Sequence, residues 1–162
     1  MQRAAPVARR CYLSLGSNVG DRAEHLAAAL EIVVAGDPHR VSQVYETEPL
    51  GGVAQDDFWN LVVELDSSAT ARELLERCRC AEDARGRTRS VRWGPRTLDA
   101  DVLLVGEETS EDPEILVPHP RLYERAFVLV PLHELAPELV SNSQSKGGVG
   151  RVRALGTLET LR

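Results

Sequence analysis

The chain has almost no lysine. Of its 19 lysines and arginines only Lys146 is a lysine. No G-x-x-x-x-G-K-[ST] pattern surrounds it, which excludes a P-loop and leaves arginine to meet any phosphate. Cysteine is scarce too: Cys11, Cys78 and Cys80, an odd count in 162 residues, argue against a disulfide framework. Cys78 and Cys80 stand two apart in a helical pattern, where side chains do not face each other, which argues against a metal clip. No apolar run approaches the ~20 residues that span a bilayer. Basic charge is not in excess: the net charge is −6, which disfavours a general nucleic-acid binder. No internal repeat is present. Length and a composition of 43% hydrophobic and 27% charged residues fit one globular domain with a single substantial core. Cytoplasm is the expected compartment. Residues 1–10 carry three arginines with no apolar stretch after them, and read as a flexible leader and not as a secretory signal.

Several elements can be read from the sequence pattern. Cys11–Leu15 alternates as a short strand, and Gly16–Asp21 is turn chemistry. Asp21 with Glu24 opens a helix in the manner of a capping box, with Leu26, Leu30 and Val33 inward and Gly36 closing it. Val41–Tyr45 reads as a second strand, and Glu46–Asp57 as a loop. Phe58–Leu65 alternates most clearly: Trp59, Leu61, Val63 and Leu65 form the core face, while Phe58, Asn60, Val62 and Glu64 form the other. Thr70 and Glu73 make a second capping box, opening a helix to about Ala84 with Leu74, Leu75 and Cys78 inward. A last strand puts Leu98, Ala100, Val102 and Leu104 on one face and Asp99 and Asp101 on the other. The order β-α-β-β-α-β predicts an α+β ferredoxin-like sandwich, with two helices on one face of an antiparallel sheet and the opposite face open for loops. Beyond it lie a Pro118-His119-Pro120 turn, a short helix and a segment broken by Pro131 and Pro137. Residues 11–140 are expected to form the domain, and 141–162 a weakly ordered C-terminal extension.

The most informative stretch is 86–104. Arg85, Arg87, Arg89, Arg92 and Arg96 crowd a Gly/Pro-broken loop that runs straight into Asp99 and Asp101. Residues two apart on a strand share a face and sit ~7 Å apart. Mg²⁺ held by one or two carboxylates completes its shell with water and phosphate oxygens. Arginine offers a planar, permanently charged fork for phosphate. Together these are what phosphoryl transfer needs, since that chemistry is mostly positioning and charge stabilisation.

The motifs in series resemble the 6-hydroxymethyl-7,8-dihydropterin pyrophosphokinase family of folate biosynthesis. They are Leu15-Gly16-Ser17-Asn18 with Gly20-Asp21; Tyr45-x-Thr47-x-Pro49-Leu50-Gly51; Phe58-x-Asn60; Gly86-Arg87-x-Arg89; Arg92 through Leu98 with Asp99-x-Asp101; Pro118-His119-Pro120; and Arg125-x-Phe127-x-Leu129-x-Pro131-Leu132. Ala100 stands where the family most often has a larger aliphatic residue, on the core face of its strand. The resemblance implies transfer of the β,γ-pyrophosphoryl group of ATP to the hydroxymethyl oxygen of the pterin, with release of AMP, and the use of two Mg²⁺ ions. It implies that Asp99 and Asp101 bind metal and that Arg87 and Arg96 meet the transferring phosphates. Phe58 and Phe127 would stack on the pterin ring, with Asn60, Thr47 and Leu50 at its amide and amine edge and Trp93 closing over it. Glu82, Arg89, Arg92, Val102, His119 and Arg125 match positions that hold ATP. Small-molecule substrates, a monomeric state, and neither nucleic acid nor membrane as partner are expected. On the residues alone two other readings remain: a nucleotidyltransferase with paired aspartates, which would release free pyrophosphate, and an inactive ATP-binding domain.

Overall fold

The computed structural model describes residues 7–49, 54–86 and 95–162. Strands β1 (Arg9–Ser17), β2 (His39–Val41), β3 (Val44–Thr47), β4 (Phe58–Ser67), β5 (Asp99–Val105) and β6 (Val152–Gly156) form one sheet. Its order is β5-β1-β4-β3-β6, with β2 also on β4, and the pairings within it are antiparallel. Helices α1 (Arg22–Val34) and α2 (Ala71–Ala84) sit between the early strands in the chain; α3 (Ala126–Leu135), α4 (Asn142–Lys146) and α5 (Leu158–Leu161) follow β5.

Both early helices start where the sequence predicts. The Asp21 carboxylate accepts from the Glu24 amide at 3.1 Å, and Thr70 and Glu73 complete a reciprocal capping box. The first helix ends on a left-handed residue, Ala35 at φ 48°, just before Gly36. Apolar positions of α1 and α2 close over one face of the sheet, where Leu13, Leu15, Leu26, Leu61, Leu65 and Leu74 are fully buried. Each such leucine contributes roughly 1.5–3 kcal/mol.

Four features differ from the sequence reading. The expected strand Val41–Tyr45 is two strands, because Ser42 takes over the ladder. Its hydroxyl accepts from the Val62 amide at 2.9 Å and donates to the Gln43 carbonyl at 2.8 Å, a side chain competing with the backbone. The face expected to be open is partly covered: α3 lies on it and builds a second core with Tyr12, Val62, Leu103 and Leu122. Leu104 leaves the face of Ala100 and Val102. The register slips between Leu13, opposite Val102, and Tyr12, opposite Leu104, so Leu103 and Leu104 both turn toward α3. Finally, 141–162 is structured: Ser141 and Gln144 cap α4, β6 pairs with β3, and Leu158 is buried in the first core. β6 is half-exposed along its length and buries no residue fully, so its sequence carries little alternation.

Candidate functional site

The site lies at one end of the sheet, on the face that α3 only partly covers. Backbone pairing sets it out. Gly16 in β1 is opposite Asn60 in β4 and also opposite Asp99 in β5. One step along, Ser14 lies between Val62 and Asp101. An amide, a bare backbone position and a carboxylate thus share one rung, and Asp101 follows on the same face as Asp99.

Gly16 is required by this arrangement. A Cβ built there would fall 2.3 Å from Asn60 Oδ1, and 3.7 Å from Phe58 Cδ1. Asn60 is buried, and its Nδ2 donates to Thr47 Oγ1 at 2.6 Å, while Phe58 and Thr47 are cross-strand partners. The structure therefore brings Thr47, Phe58 and Asn60 together. Phe127 reaches the same side of the sheet from α3, packs against the second core, and lies under the Arg125 guanidinium, 5.4 Å from ring centroid to charge.

Asp99 and Asp101 are half-buried, and Arg96 Nη1 donates to Asp99 Oδ2 at 3.1 Å. Between them, the Ala100 amide donates to Glu82 Oε2 at 3.2 Å. Glu82 is itself buried on α2, so it meets the aspartate strand at its backbone. Burial pulls the Arg125 guanidinium below the usual arginine range, and the charges of Asp101 and Asp99 resist that shift. His119 follows the cis Val117–Pro118 bond; its amide donates to the Leu103 carbonyl at 2.9 Å. Its Nδ1 accepts from the Arg121 amide at 3.1 Å, so the neutral ring carries its proton on Nε2. Burial and then the nearby Arg125 lower its pKa, while Asp99 raises it. Along the outer edge of β5 a cleft of about 190 Å³ is lined by Leu75, Val102 and Ile115 together with Asp101, Glu114 and His119.

The hard oxygen donors of Asp99 and Asp101 suit Mg²⁺. Among the described residues no cluster of three or more His, Cys, Asp or Glu side chains could enclose a metal by itself. Such a pair fits an ion that draws the rest of its shell from substrate oxygens and water. Leu50, Arg87, Arg89, Arg92 and Trp93 lie outside the described residues.

Asn18 stands in one of the motifs, yet reading Gly16–Asp21 as turn chemistry gives it no role; the structure does. Its buried side chain donates to Gln55 Oε1 at 2.9 Å and to the Asp56 carbonyl at 2.8 Å, and accepts from the Arg96 amide at 2.8 Å. One amide thus ties the approach to β4 to the approach to β5. The signal was available: an Asn directly after a strand end has three bonds to place.

At the foot of the arginine loop, Arg85 Nε donates to His25 Nδ1 at 2.9 Å. Burial, then Arg85, lower the His25 pKa, and Asp21 and Glu24 oppose them. The unfolded chain therefore binds the proton first as pH falls. The neutral ring's contribution is complete above about pH 6.5 and is lost as pH drops below that toward the folded value. Denaturation midpoints between pH 7.5 and 5.5 should fall less in His25→Gln than in the parent; equal slopes would refute this.

Comparison with known proteins identifies the family. The family model described as 7,8-dihydro-6-hydroxymethylpterin-pyrophosphokinase (HPPK) matches residues 12–137. The 2-amino-4-hydroxy-6-hydroxymethyldihydropteridine pyrophosphokinase of Bacillus subtilis is 44% identical over 137 residues, covering 83% of this chain and 82% of that protein. The protein of the same name from Methylorubrum extorquens is 46% identical over 139 residues, covering 84% of this chain and 88% of that one. Among solved structures, an HPPK-DHPS in complex with substrates superposes with a TM-score of 0.55 at 11% identity, over 95% of this chain and 43% of that chain, a likeness of fold.

Proposed function

Since the chain belongs to the 7,8-dihydro-6-hydroxymethylpterin-pyrophosphokinase family, we propose how its residues divide that family's work. The protein is a pyrophosphokinase of folate biosynthesis and transfers pyrophosphate from ATP to hydroxymethyldihydropterin. The observation that carries the division of roles is the shared rung, which sets the Asn60 amide and the Asp99 carboxylate on either side of Gly16.

On the β4 side, Asn60 and Thr47, with the backbone at Leu50, read the amide and amine edge of the pterin. Asn60 offers donors and an acceptor to a mixed edge. Phe58 and Phe127 take the ring faces, where a flat heteroaromatic gains dispersion on both sides, and Trp93 covers it. On the β5 side, the cleft by Leu75 and Val102 takes the adenine, whose faces would meet the aliphatic side chains and whose polar edge would meet the polar groups that share the lining. His119 through Nε2–H, Arg125, Arg89 and Arg92 meet the phosphates. Glu82 serves the ATP side from beneath, by holding the Ala100 amide. Asp99 and Asp101 would hold two Mg²⁺, which when bound polarise the phosphoryl oxygens. Arg96 and Arg87 meet charge developing on the transferring group, and Arg96 is already poised beside Asp99.

The β5-β1-β4-β3 order with α1 and α2 on one face supports a ferredoxin-like sandwich to which β6 is added. Cys11, Cys78 and Cys80 are all free, and no described helix is long and apolar enough to cross a membrane. We place the enzyme in the cytoplasm as a monomer acting on small molecules.

Incubation with ATP, Mg²⁺ and the hydroxymethyl-dihydropterin should yield AMP and the pterin diphosphate. Free pyrophosphate in place of AMP would mean nucleotidyl transfer. Asn60→Ala should weaken pterin binding by roughly 1–3 kcal/mol, because a buried polar edge loses its partner, with the ATP dissociation constant unchanged. An equal loss for both ligands would remove Asn60 from the pterin site.

A further inference from the structure

The geometry points to residues 148–153 as a positioning strap that sets the width of the pterin cleft from behind. This rests on the assignment of Thr47 and Phe127 to the pterin. The family match stops at residue 137, yet the chain beyond it returns to the site. The Val149 amide donates to the Glu124 carbonyl at 2.9 Å, and the Val149 carbonyl accepts from the Ala126 amide at 3.2 Å. The backbone is thus gripped on both sides of Arg125, two residues ahead of Phe127. Three residues later Val152 stands opposite Thr47, as β6 pairs with β3. Between these contacts the Arg151 amide donates to Glu48 Oε1 at 3.1 Å, and just past them Arg153 pairs with Glu46 at 2.7 Å.

Six consecutive residues therefore join two walls of the cleft that are far apart in the chain, one at 46–48 and the other at 124–127. Two glycines make the span possible. A Cβ at Gly148 would lie 2.5 Å from the Ala126 nitrogen and 2.7 Å from its Cα, so only glycine allows this approach. Gly150, at φ 110°, turns the chain between the two contacts in a region that disfavours side chains.

The strap's side chains add little to either core. Val149 is 66% exposed, and the Arg153 side chain 73%. Its contribution is spacing. A ring held between two faces binds tightly only if the walls stand at the right separation before it arrives, and small misplacements are costly. Strap residues touch no substrate and act through Thr47 and Phe127.

The test uses Gly148→Ala, Arg151→Pro and Arg153→Ala in the full chain. Each is measured for pterin and ATP-analogue dissociation constants, for KM against kcat, and for melting temperature. Gly148→Ala and Arg151→Pro should weaken pterin binding about tenfold, and Arg153→Ala about threefold, each raising the pterin KM more than it lowers kcat. Arg151→Pro and Arg153→Ala act on the β3 wall and should leave ATP-analogue affinity within about twofold. A lower melting temperature with unchanged pterin affinity would make the strap merely structural and overturn the proposal; so would equal losses for both ligands in Arg151→Pro. Should Gly148→Ala fail to fold, Arg153→Ala decides by the same criterion, since it alters an exposed side chain. Asn60→Ala measured alongside separates the two ideas. Pterin affinity lost there but kept in the strap variants overturns the strap alone. Affinity kept there but lost in the strap variants removes Asn60 from the pterin edge and upholds the strap.

Discussion

Replacing Asp99 or Asp101 with alanine should lower kcat by about a thousandfold, while the melting temperature stays close to that of the parent. If these carboxylates hold the metal as proposed, the size follows from losing a ligand at the transferring group, worth several kcal/mol of charge stabilisation at roughly 1.4 kcal/mol per tenfold. The fold should survive, because both carboxylates are half-buried and point away from the core that Ala100 and Val102 enter. Loss of Asp99 also releases the Arg96 guanidinium, so Asp99→Ala should raise the Mg²⁺ concentration for half-maximal rate, and Asp99→Asn should do the same. Steady-state rates across a Mg²⁺ titration, with circular dichroism as a check on folding, measure both effects. Near-parental turnover by either folded alanine variant would take the metal away from this strand.

The second large effect is expected at a residue with no side chain. In Gly16→Ala the new methyl would lie 2.3 Å from Asn60 Oδ1, far inside van der Waals contact, between two paired strands that cannot part to accommodate it. Asn60 must rotate away, losing its bond to Thr47 and its aim at the pterin edge. Pterin affinity should drop by about one to two orders of magnitude, the cost of a buried polar group left without partners, with ATP-analogue affinity much less affected. Calorimetric titration of each ligand distinguishes this from a general loss of structure. Unchanged pterin binding in folded Gly16→Ala would show that the Asn60 amide is free to move without consequence.

What could be read in the sequence was local. Thr70 with Glu73, Asp21 with Glu24, and the alternation of β4 each rest on contacts within a few residues, and each was visible in the chain. Asp99 and Asp101 shared a face because strand geometry alone requires it. The slip beside Leu103 was not legible, because it depends on the second core under α3 also taking Leu104 on the other side of the sheet. The pairing of Ser42 with Val62 hid for the same reason: the sequence does not state which strand will lie across from a serine. Asn18 carried a signal, but its partners Gln55, Asp56 and Arg96 are assembled only by the fold. β6 is held by pairing with β3 and by packing Leu155 against the first core, which Leu158 of α5 also enters, and not by its own composition.

The rung that joins Asn60, Gly16 and Asp99 has a consequence for how the enzyme can change over time. Neighbouring strands are held about 4.8 Å apart by peptide hydrogen bonds, so two steps give a span near 10 Å that no side chain sets. On the proposed division of roles, the sheet is in effect a ruler between the place where one substrate is recognised and the place where the other is activated. Most substitutions in the core can alter how firmly that ruler is held without altering its length. Lineages of this protein are therefore free to drift widely in composition while the gauge between the two substrates stays constant. The exception is an insertion or deletion within β1, which would shift the register and separate the marks on the ruler at once.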